Sequence, residues 1–131
     1  MTDLGGEWIA IVDDDEGVRS STQRLLARAG FRVDAYDGGE RFLRAAASRR
    51  YDCILLDVWM PDLDGLSVLR ALGAQPGPVA PVIVLTGHGD VALAVEAMKL
   101  GAEAFIEKPY RPELLLSEIR RAITEPSLRM C

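Results

Sequence analysis

Cysteine and histidine are scarce in this sequence, and their scarcity excludes several kinds of site. Two cysteines, Cys53 and Cys131, and one histidine, His88, occur among 131 residues. A structural zinc site takes four ligands, almost all cysteine or histidine, and a disulfide-stapled secreted domain needs a dense cysteine framework. Neither class fits this chain. We expect Cys53, which lies in an apolar run, to be an inert buried thiol and Cys131 to be a free thiol.

Long apolar runs and an excess of basic residues are also missing. No run approaches the roughly 18 apolar residues of a membrane-spanning helix, and the polar first seven residues do not resemble a secretory signal. We therefore expect a cytoplasmic protein without membrane association. The formal net charge is −5, whereas nonspecific nucleic-acid binding needs a basic surface. We expect no direct nucleic-acid binding by this chain.

Five short strand-like runs alternate with five stretches of helical periodicity. The runs lie at 8–12, 31–36, 53–56, 82–85 and 104–106, all wholly apolar except 31–36, and the periodic stretches at 16–29, 39–48, 66–72, 90–100 and 112–123. Such wholly apolar runs are typical of parallel strands that are buried on both faces. We predict an α/β fold with a doubly wound five-stranded parallel sheet and five helices. One domain would span 8–124, between a tail at 1–7 and a tail or truncated linker at 125–131.

Residues with reactive or charged side chains end these apolar runs. They are Asp13, Asp14 and Asp15 after the first run, Asp57 at the third, Thr86 at the fourth and Lys108 at the fifth. Because the carboxyl ends of parallel strands meet at one edge of an open sheet, we expect these side chains to lie close together. Crowded carboxylates repel each other, and a divalent cation relieves that repulsion. An all-oxygen site suits Mg²⁺, for which Mn²⁺ could substitute.

A carboxylate in such a cleft can accept a phosphoryl group. The oxygen of Asp57 would be the nucleophile. The cation and Lys108 would neutralise charge on the transferring oxygens, and Thr86 could donate a hydrogen bond to a phosphoryl oxygen. The pattern therefore predicts a magnesium-dependent phosphoacceptor site.

Four motifs resemble the receiver domains of bacterial two-component systems. They are Val12-Asp13-Asp14, the segment 56–65, the segment 85–90 and Glu107-Lys108-Pro109, and the resemblance extends over residues 8–123. It implies a flavodoxin-like strand order, 2-1-3-4-5. It also implies a switch, phosphorylated by a sensor histidine kinase, that is not an enzyme beyond self-catalysed phosphorylation and slow dephosphorylation.

The segments 86–90, 94–99 and 105–109 are most similar to one subgroup, the receivers of nitrogen-fixation-type (FixJ-like) transcription regulators. Members of that subgroup usually carry a helix-turn-helix domain after the receiver. The resemblance thus implies control of transcription through a DNA-binding domain that is not in this chain. The alternative is a stand-alone or hybrid-kinase receiver that acts in a phosphorelay.

The resemblance also assigns the acidic residues their roles. Asp57 matches the phosphoacceptor, and Asp13 and Asp14 match the pair that holds magnesium, Asp14 directly and Asp13 more through water. The backbone carbonyl of Trp59 matches the third protein ligand. The large side chain of Trp59 and that of His88 flank the path of an attacking water, and both neutral variation and a functional role remain open for them.

The remaining roles concern the switch. Thr86 and Phe105 match a pair in which the hydroxyl moves toward the phosphoryl group and the ring turns inward behind it. Lys108 matches the lysine that contacts the phosphoryl group. The peptide bond between Lys108 and Pro109 is cis in the family, and proline makes a cis bond affordable.

The fourth predicted helix is apolar on nearly every side. We expect Asp90 to cap it and Val91, Ala94, Val95 and Met98 to form its buried stripe. Further apolar residues then remain for the surface, which favours a covered face. We predict a phosphorylation-dependent homodimer through the fourth helix, fifth strand and fifth helix. The candidate residues of this face are Ala92, Glu96, Lys99, Glu118 and Arg121.

Two other functions are compatible with parts of the pattern. Asp13-x-Asp15 resembles the signature of haloacid-dehalogenase phosphatases, but those enzymes need a further acid pair and usually a cap. A flavodoxin-like electron carrier has the same fold class, but three aspartates after the first strand would repel the phosphate of FMN. A stable phosphorylated aspartate without turnover of phosphoesters would exclude the first, and absence of yellow colour the second.

Overall fold

Strands and helices alternate along the chain as predicted. The computed structural model describes residues 6–75, 80–87 and 89–124. Predictions for the terminal residues 1–5 and 125–131, which include Cys131, for His88 and for the loop residues 76–79 lie outside the described residues. The elements are β1 (Trp8–Val12), α1 (Glu16–Arg28), β2 (Arg32–Tyr36), α2 (Gly39–Ala46), β3 (Cys53–Asp57), α3 (Gly65–Ala74), β4 (Val82–Thr86), α4 (Val91–Lys99), β5 (Ala104–Glu107) and α5 (Pro112–Thr124).

The five strands form one parallel sheet in the order β2-β1-β3-β4-β5. This confirms the predicted doubly wound, flavodoxin-like order 2-1-3-4-5. The order reverses between β1 and β3, and open α/β sheets place their functional crevice outside the carboxyl ends of the strands at such a point. No helix within the described ranges is long and apolar enough to cross a membrane.

Alternate residues of the central strands enter two separate cores. Leu55 packs in the cluster that includes Leu26 of α1 and Ile119 of α5. Its neighbour Leu56 packs on the other face, in the cluster that includes Phe42 of α2. Because both faces are covered, β3 and β4 are buried along their whole length. This two-sided burial explains why their sequences are apolar without alternation.

Helix α4 buries a different stripe from the one predicted. Ala94 and Ala97 face the core, whereas Val91, Val95 and Met98 are 60%, 47% and 40% exposed. The prediction is right for Ala94 and wrong for the other three residues. Both stripes have helical spacing, so periodicity alone did not choose between them. The small alanine side chains let the helix backbone lie close to the sheet, and the larger apolar residues are left on the surface.

Candidate functional site: an acidic cleft at the carboxyl edge of the sheet

Three carboxylates meet at the carboxyl ends of β1 and β3. Val12 pairs with Leu56 in the sheet, so the following residues, Asp13 and Asp57, lie side by side. One carboxylate oxygen each from Asp13, Asp14 and Asp57 lie within 4.8 Å of one another. Asp13 and Asp57 are buried and Asp14 is exposed. The structure thus brings together the three acids that were predicted to hold a metal ion.

Lys108 reaches into the same cleft from the end of β5. Its Nζ lies 2.9 Å from Oδ2 of Asp13 and 3.5 Å from Oδ2 of Asp57. Its backbone amide donates to the carbonyl of Thr86 at 2.8 Å, and the Lys108–Pro109 bond is cis, as predicted. Partial burial lowers the pKa of Lys108, but the hydrogen bond and charge of Asp13 outweigh it, so the pKa lies above its usual value. Lys108 therefore stays an ammonium ion.

Asp57 carries the unbalanced charge of the cleft. Burial raises the pKa of Asp57 to about 6, with a further contribution from the neighbouring charge of Asp13. The ammonium group of Lys108 and the amide of Trp59, which donates to Oδ1 of Asp57 at 3.2 Å, act in the opposite direction. One lysine does not compensate three clustered carboxylates. The cleft has the donor atoms and the excess negative charge that suit a divalent cation.

The third acid of the first loop has a different task. The carboxylate of Asp15 accepts the amide of Val18 at 3.1 Å and caps α1, and its own amide donates to Oδ1 of Asp13 at 2.9 Å. Arg19 of α1 donates to the carbonyl oxygen of Asp13 at 2.9 Å. Sequence reasoning missed Arg19, although its place one turn into the helix that follows the acids was a usable signal. Asp15 and Arg19 hold the loop that carries Asp13 and Asp14.

Trp59 lies at the mouth of the cleft. Its side chain is 60% exposed, and its Nε1 donates to Oδ2 of Asp90 at 2.8 Å. Asp90 occupies the N-cap position of α4 but makes no side-chain capping hydrogen bond. The prediction that Asp90 caps α4 is therefore wrong, because its carboxylate turns to the indole instead. The metal-binding role of the Trp59 carbonyl stays a prediction.

The two predicted switch residues lie on neighbouring strands with contrasting environments. Thr86 is buried, and its Oγ1 has no hydrogen-bond partner among the described residues. A buried hydroxyl without a partner costs free energy, so the protein would gain stability if this hydroxyl formed a hydrogen bond to an incoming oxygen atom. Phe105 of β5, by contrast, is 43% exposed. These positions suit the predicted roles, which themselves stay predictions.

Fold and site together define a flavodoxin-like α/β domain with an acidic cleft at the carboxyl ends of its central strands. The sequence profile of the response regulator receiver domain matches residues 9–120. The chain therefore belongs to the response regulator receiver domain family. This agrees with the four motifs at the strand ends.

Among known proteins, transcriptional regulators of the FixJ type are similar to this chain. The transcriptional regulatory protein FixJ of Bradyrhizobium diazoefficiens is 45% identical over 117 residues, which cover 89% of this chain and 57% of the relative. FixJ of Rhizobium meliloti is 45% identical over 114 residues, covering 87% and 55%. The chain thus spans about half the length of these relatives. The resemblance to FixJ-like receivers is confirmed.

Solved structures confirm the fold. A crystal structure of FixJ-N superposes with a TM-score of 0.86 at 42% identity, covering 97% of this chain and 98% of that one. The receiver domain of NtrX from Brucella abortus superposes with a TM-score of 0.84 at 32% identity, covering 91% and 99%.

Proposed function

We propose that this chain is the phosphoacceptor of a two-component system and takes a phosphoryl group from a sensor histidine kinase onto Asp57. One observation carries the proposal: Asp57 lies beside Asp13 and Asp14, within 4.8 Å, and beside the ammonium group of Lys108, at 3.5 Å. A carboxylate nucleophile flanked by a cation site and a lysine has the parts that phosphoryl transfer needs. Because a phosphohistidine is made from ATP, the proposal places the chain in the cytoplasm.

The transfer exchanges one bond to phosphorus for another. A carboxylate oxygen of Asp57 attacks the phosphorus of the kinase's phosphohistidine and forms a phosphorus–oxygen bond. The phosphorus–nitrogen bond breaks, and the imidazole leaves with its electron pair and takes up a proton. Lys108, held by Asp13, neutralises charge on the transferring oxygens. The hydroxyl of Thr86, without a partner among the described residues, donates to a phosphoryl oxygen.

The carboxylates of Asp13, Asp14 and Asp57 and the carbonyl of Trp59 would hold Mg²⁺, with Asp14 as a direct ligand and Asp13 acting more through water. The all-oxygen donor set and the raised pKa of Asp57 support this assignment. When bound, the ion neutralises charge on the carboxylates and on the transferring oxygens. Mn²⁺ could substitute, since it accepts the same ligands.

In this proposal the phosphorylated chain acts as a switch and not as an enzyme. After transfer, Thr86 would move toward the phosphoryl group and the exposed ring of Phe105 would turn inward. The output we propose is control of transcription through a DNA-binding domain outside this chain, supported by the regulators that the chain resembles. A stand-alone or hybrid-kinase receiver in a phosphorelay is the alternative, and a phosphoryl group that moves on to a second histidine would favour it.

We also propose that phosphorylation promotes a homodimer through α4, β5 and α5. The support is an exposed apolar surface on α4, formed by Val91, Val95 and Met98, together with the exposed ring of Phe105 on β5. Such a surface favours a covering partner. Of the predicted face, Ala92 and Lys99 are exposed and Glu96 is half-buried. Arg121 donates to Glu118 of its own helix at 2.6 Å, so these two charges form a pair within one protomer.

Phosphorylation itself is tested by intact mass. With Mg²⁺ and acetyl phosphate, the protein should gain one phosphoryl group, and Asp57→Asn should gain none. The matched control is Asp37→Asn, which changes an exposed acid of similar size outside the cleft and should be modified like the parent protein. Stoichiometric phosphorylation of Asp57→Asn would refute the assignment, and continuous hydrolysis of added phosphoesters would favour the phosphatase.

The dimer is tested by sedimentation velocity at tens of micromolar, with and without beryllofluoride as the phosphoryl mimic. We expect dimers only with the mimic, and Val95→Asp should prevent them because it places a charge in the apolar surface. Arg24→Glu, on the exposed side of α1, is the control and should still dimerise. Equal mass in both states of the parent protein would refute the dimer.

A further inference from the structure

The carboxylate of Asp62 caps a helix to which it does not belong. It accepts the amide of Gly39 at 3.3 Å and the amide of Glu40 at 3.1 Å, the first two amides of α2. Helix α2 has Gly38 at its own N-cap position, and glycine has no side chain with which to cap. The free amides at the start of a helix attract a negative charge. A residue of the loop between β3 and α3 therefore supplies what the helix lacks.

The local sequence makes room for this contact. A Cβ atom at Gly38 would lie 2.7 Å from Oδ2 of Asp62, and one at Gly39 would lie 2.7 Å from Cγ2 of Val68. Only glycine fits at either position without displacing a neighbour. The small burial of Asp62 is outweighed by the amide donors, led by that of Glu40, so the pKa of Asp62 lies below its usual value. The cap is a charged carboxylate and its hydrogen bonds are correspondingly strong.

The same loop carries part of the proposed metal site. It leaves β3 at Asp57, passes through Trp59 and enters α3 at Gly65. The end of the loop next to α3 is fixed by a hydrogen bond, because the amide of Gly65 donates to the carbonyl of Val58 at 2.9 Å. The backbones approach so closely there that a Cβ at Gly65 would lie 2.6 Å from the carbonyl oxygen of Asp57. Asp62 attaches the middle of the loop to α2. Without that attachment the loop between its two ends would be free to spread over more conformations.

We propose that Asp62 is a positioning residue for the metal site: by capping α2 it holds the β3–α3 loop so that the carbonyl of Trp59 faces the carboxylates of Asp13, Asp14 and Asp57. This inference rests on the magnesium site of the proposed function. Groups that orient metal ligands without themselves binding the metal typically contribute about 10–100-fold to metal affinity. Asp62 does not bind the ion and acts through the backbone of the loop.

The test is the affinity for Mg²⁺, measured by isothermal titration calorimetry on the full chain, with a thermal melt for each variant. Asp62→Ala should weaken binding at least about tenfold. Gly38→Ala should do the same without removing any acid, because its Cβ displaces the carboxylate of Asp62. Asp62→Asn keeps one oxygen acceptor and should give an intermediate affinity.

The matched control is Asp64→Ala. Asp64 caps α3 in the same loop by accepting the amide of Ser67 at 2.8 Å, but within the described part of the chain its carboxylate bonds to no second helix or strand. The variant Asp64→Ala should lower the melting temperature about as much as Asp62→Ala does, while leaving the affinity for Mg²⁺ unchanged. A common loss of affinity in both variants would mean that general destabilisation, and not positioning, is the cause.

The remaining outcomes separate this inference from the proposed function. If the parent protein binds Mg²⁺, Asp14→Ala does not, and Asp62→Ala binds as the parent does, the positioning role alone is refuted. If the parent protein shows no more binding than Asp14→Ala, the magnesium site is refuted and the role of Asp62 with it. If Asp62→Ala does not fold, Gly38→Ala and Asp62→Asn decide by the same measurement.

Discussion

The two ends of the sheet treat their charged residues in opposite ways. At the carboxyl edge, Asp13 and Asp57 are buried beside each other and share one lysine. A second polar group, here called the basal cluster, extends from the amino ends of β1 and β3 to the middle of β2. It consists of Trp8, Asp34, Arg49 and Tyr51, with cation–π and hydrogen-bond contacts among them. One end concentrates charge of one sign, whereas the other balances it.

The basal cluster is satisfied by its own members. Arg49 pairs with Asp34 at 3.0 Å and lies 4.8 Å above the ring of Trp8. The hydroxyl of Tyr51 donates to Asp34 at 2.7 Å and also contacts the hydroxyl of Tyr36. Burial, followed by the hydrogen bond with Tyr36, raises the pKa of Tyr51, so the phenol stays protonated. This arrangement stabilises the fold and leaves little for a ligand to improve.

The cleft, in contrast, has two unfavourable features that a bound ligand would relieve. The pKa of Asp57 is raised to about 6, and the hydroxyl of Thr86 lacks a partner among the described residues. A cation and a phosphoryl group would each remove one of these costs. Unfavourable electrostatics thus mark the end of this sheet at which we propose that the function lies, and four experiments test this contrast between the two ends.

The largest expected effect is stabilisation by magnesium. Ligand linkage predicts a gain of about 2.7 kcal/mol at a Mg²⁺ concentration 100 times the Kd, because the ion binds the folded chain and not the unfolded one. Thermal melts with increasing Mg²⁺ measure it. Asp14→Ala should remove the gain, while Tyr51→Phe in the basal cluster should keep it. If the melting temperature of the parent protein does not change with the concentration of Mg²⁺, the metal assignment is contradicted.

Next is the stability of Asp57→Asn without metal. The folded protein holds the proton of Asp57 more tightly than the unfolded chain, whose pKa is about 4. The stability that this group contributes is therefore present below about pH 4 and is lost as pH rises through about 6. Asparagine does not ionise, so Asp57→Asn should be more stable by about 2 kcal/mol at pH 8, and this figure already includes the attraction to Lys108 that lowers the pKa of Asp57.

Urea unfolding in the presence of a chelator at pH 5 and pH 8 measures this difference. The gain should be smaller at pH 5, where most of Asp57 is already protonated in the folded protein. Asp37→Asn, outside the cleft, should show no comparable gain. A destabilised Asp57→Asn at pH 8 would mean that attraction to Lys108 dominates over burial and over repulsion from Asp13.

A smaller effect of opposite sign is expected in the basal cluster. Tyr51→Phe removes the hydroxyl that bonds Asp34 and Tyr36, which should cost about 1 kcal/mol. Phosphorylation of Asp57 by acetyl phosphate should be unaffected. Urea unfolding and intact mass measure the two properties on the same sample. A variant that is stable but phosphorylated poorly would show that the two ends of the sheet are coupled.

The smallest expected effect is optical, and the two tryptophans report on the two ends separately. Trp59 lies at the cleft and Trp8 in the basal cluster. Mg²⁺ or phosphorylation should change the fluorescence of Trp59, because its backbone is predicted to touch the metal and its indole donates to Asp90. Trp8→Phe should keep the signal and Trp59→Phe should lose it. The reverse pattern would contradict the placement of the site.

Much of the cleft could be predicted because its members end strands. Asp57, Thr86 and Lys108 each follow an apolar run, and parallel strands bring their carboxyl ends together whatever the details of packing. The cap at Asp62 escaped prediction because its partners, Gly39 and Glu40, lie 23 and 22 residues away in the chain. The absence of a capping side chain at Gly38 was the available signal, but it does not identify which residue supplies the capping carboxylate.

The sequence by itself determined the alternation of strands and helices, the parallel sheet and the acids at its edge, because periodicity and strand ends are local properties of the chain. Only the tertiary structure decided that α4 buries Ala94 and Ala97, and that Asp90 turns to Trp59 instead of capping its helix. Each of these depends on which surface another element presents at that point. Helical spacing permits several faces and a carboxylate several partners, and packing in three dimensions selects one of them.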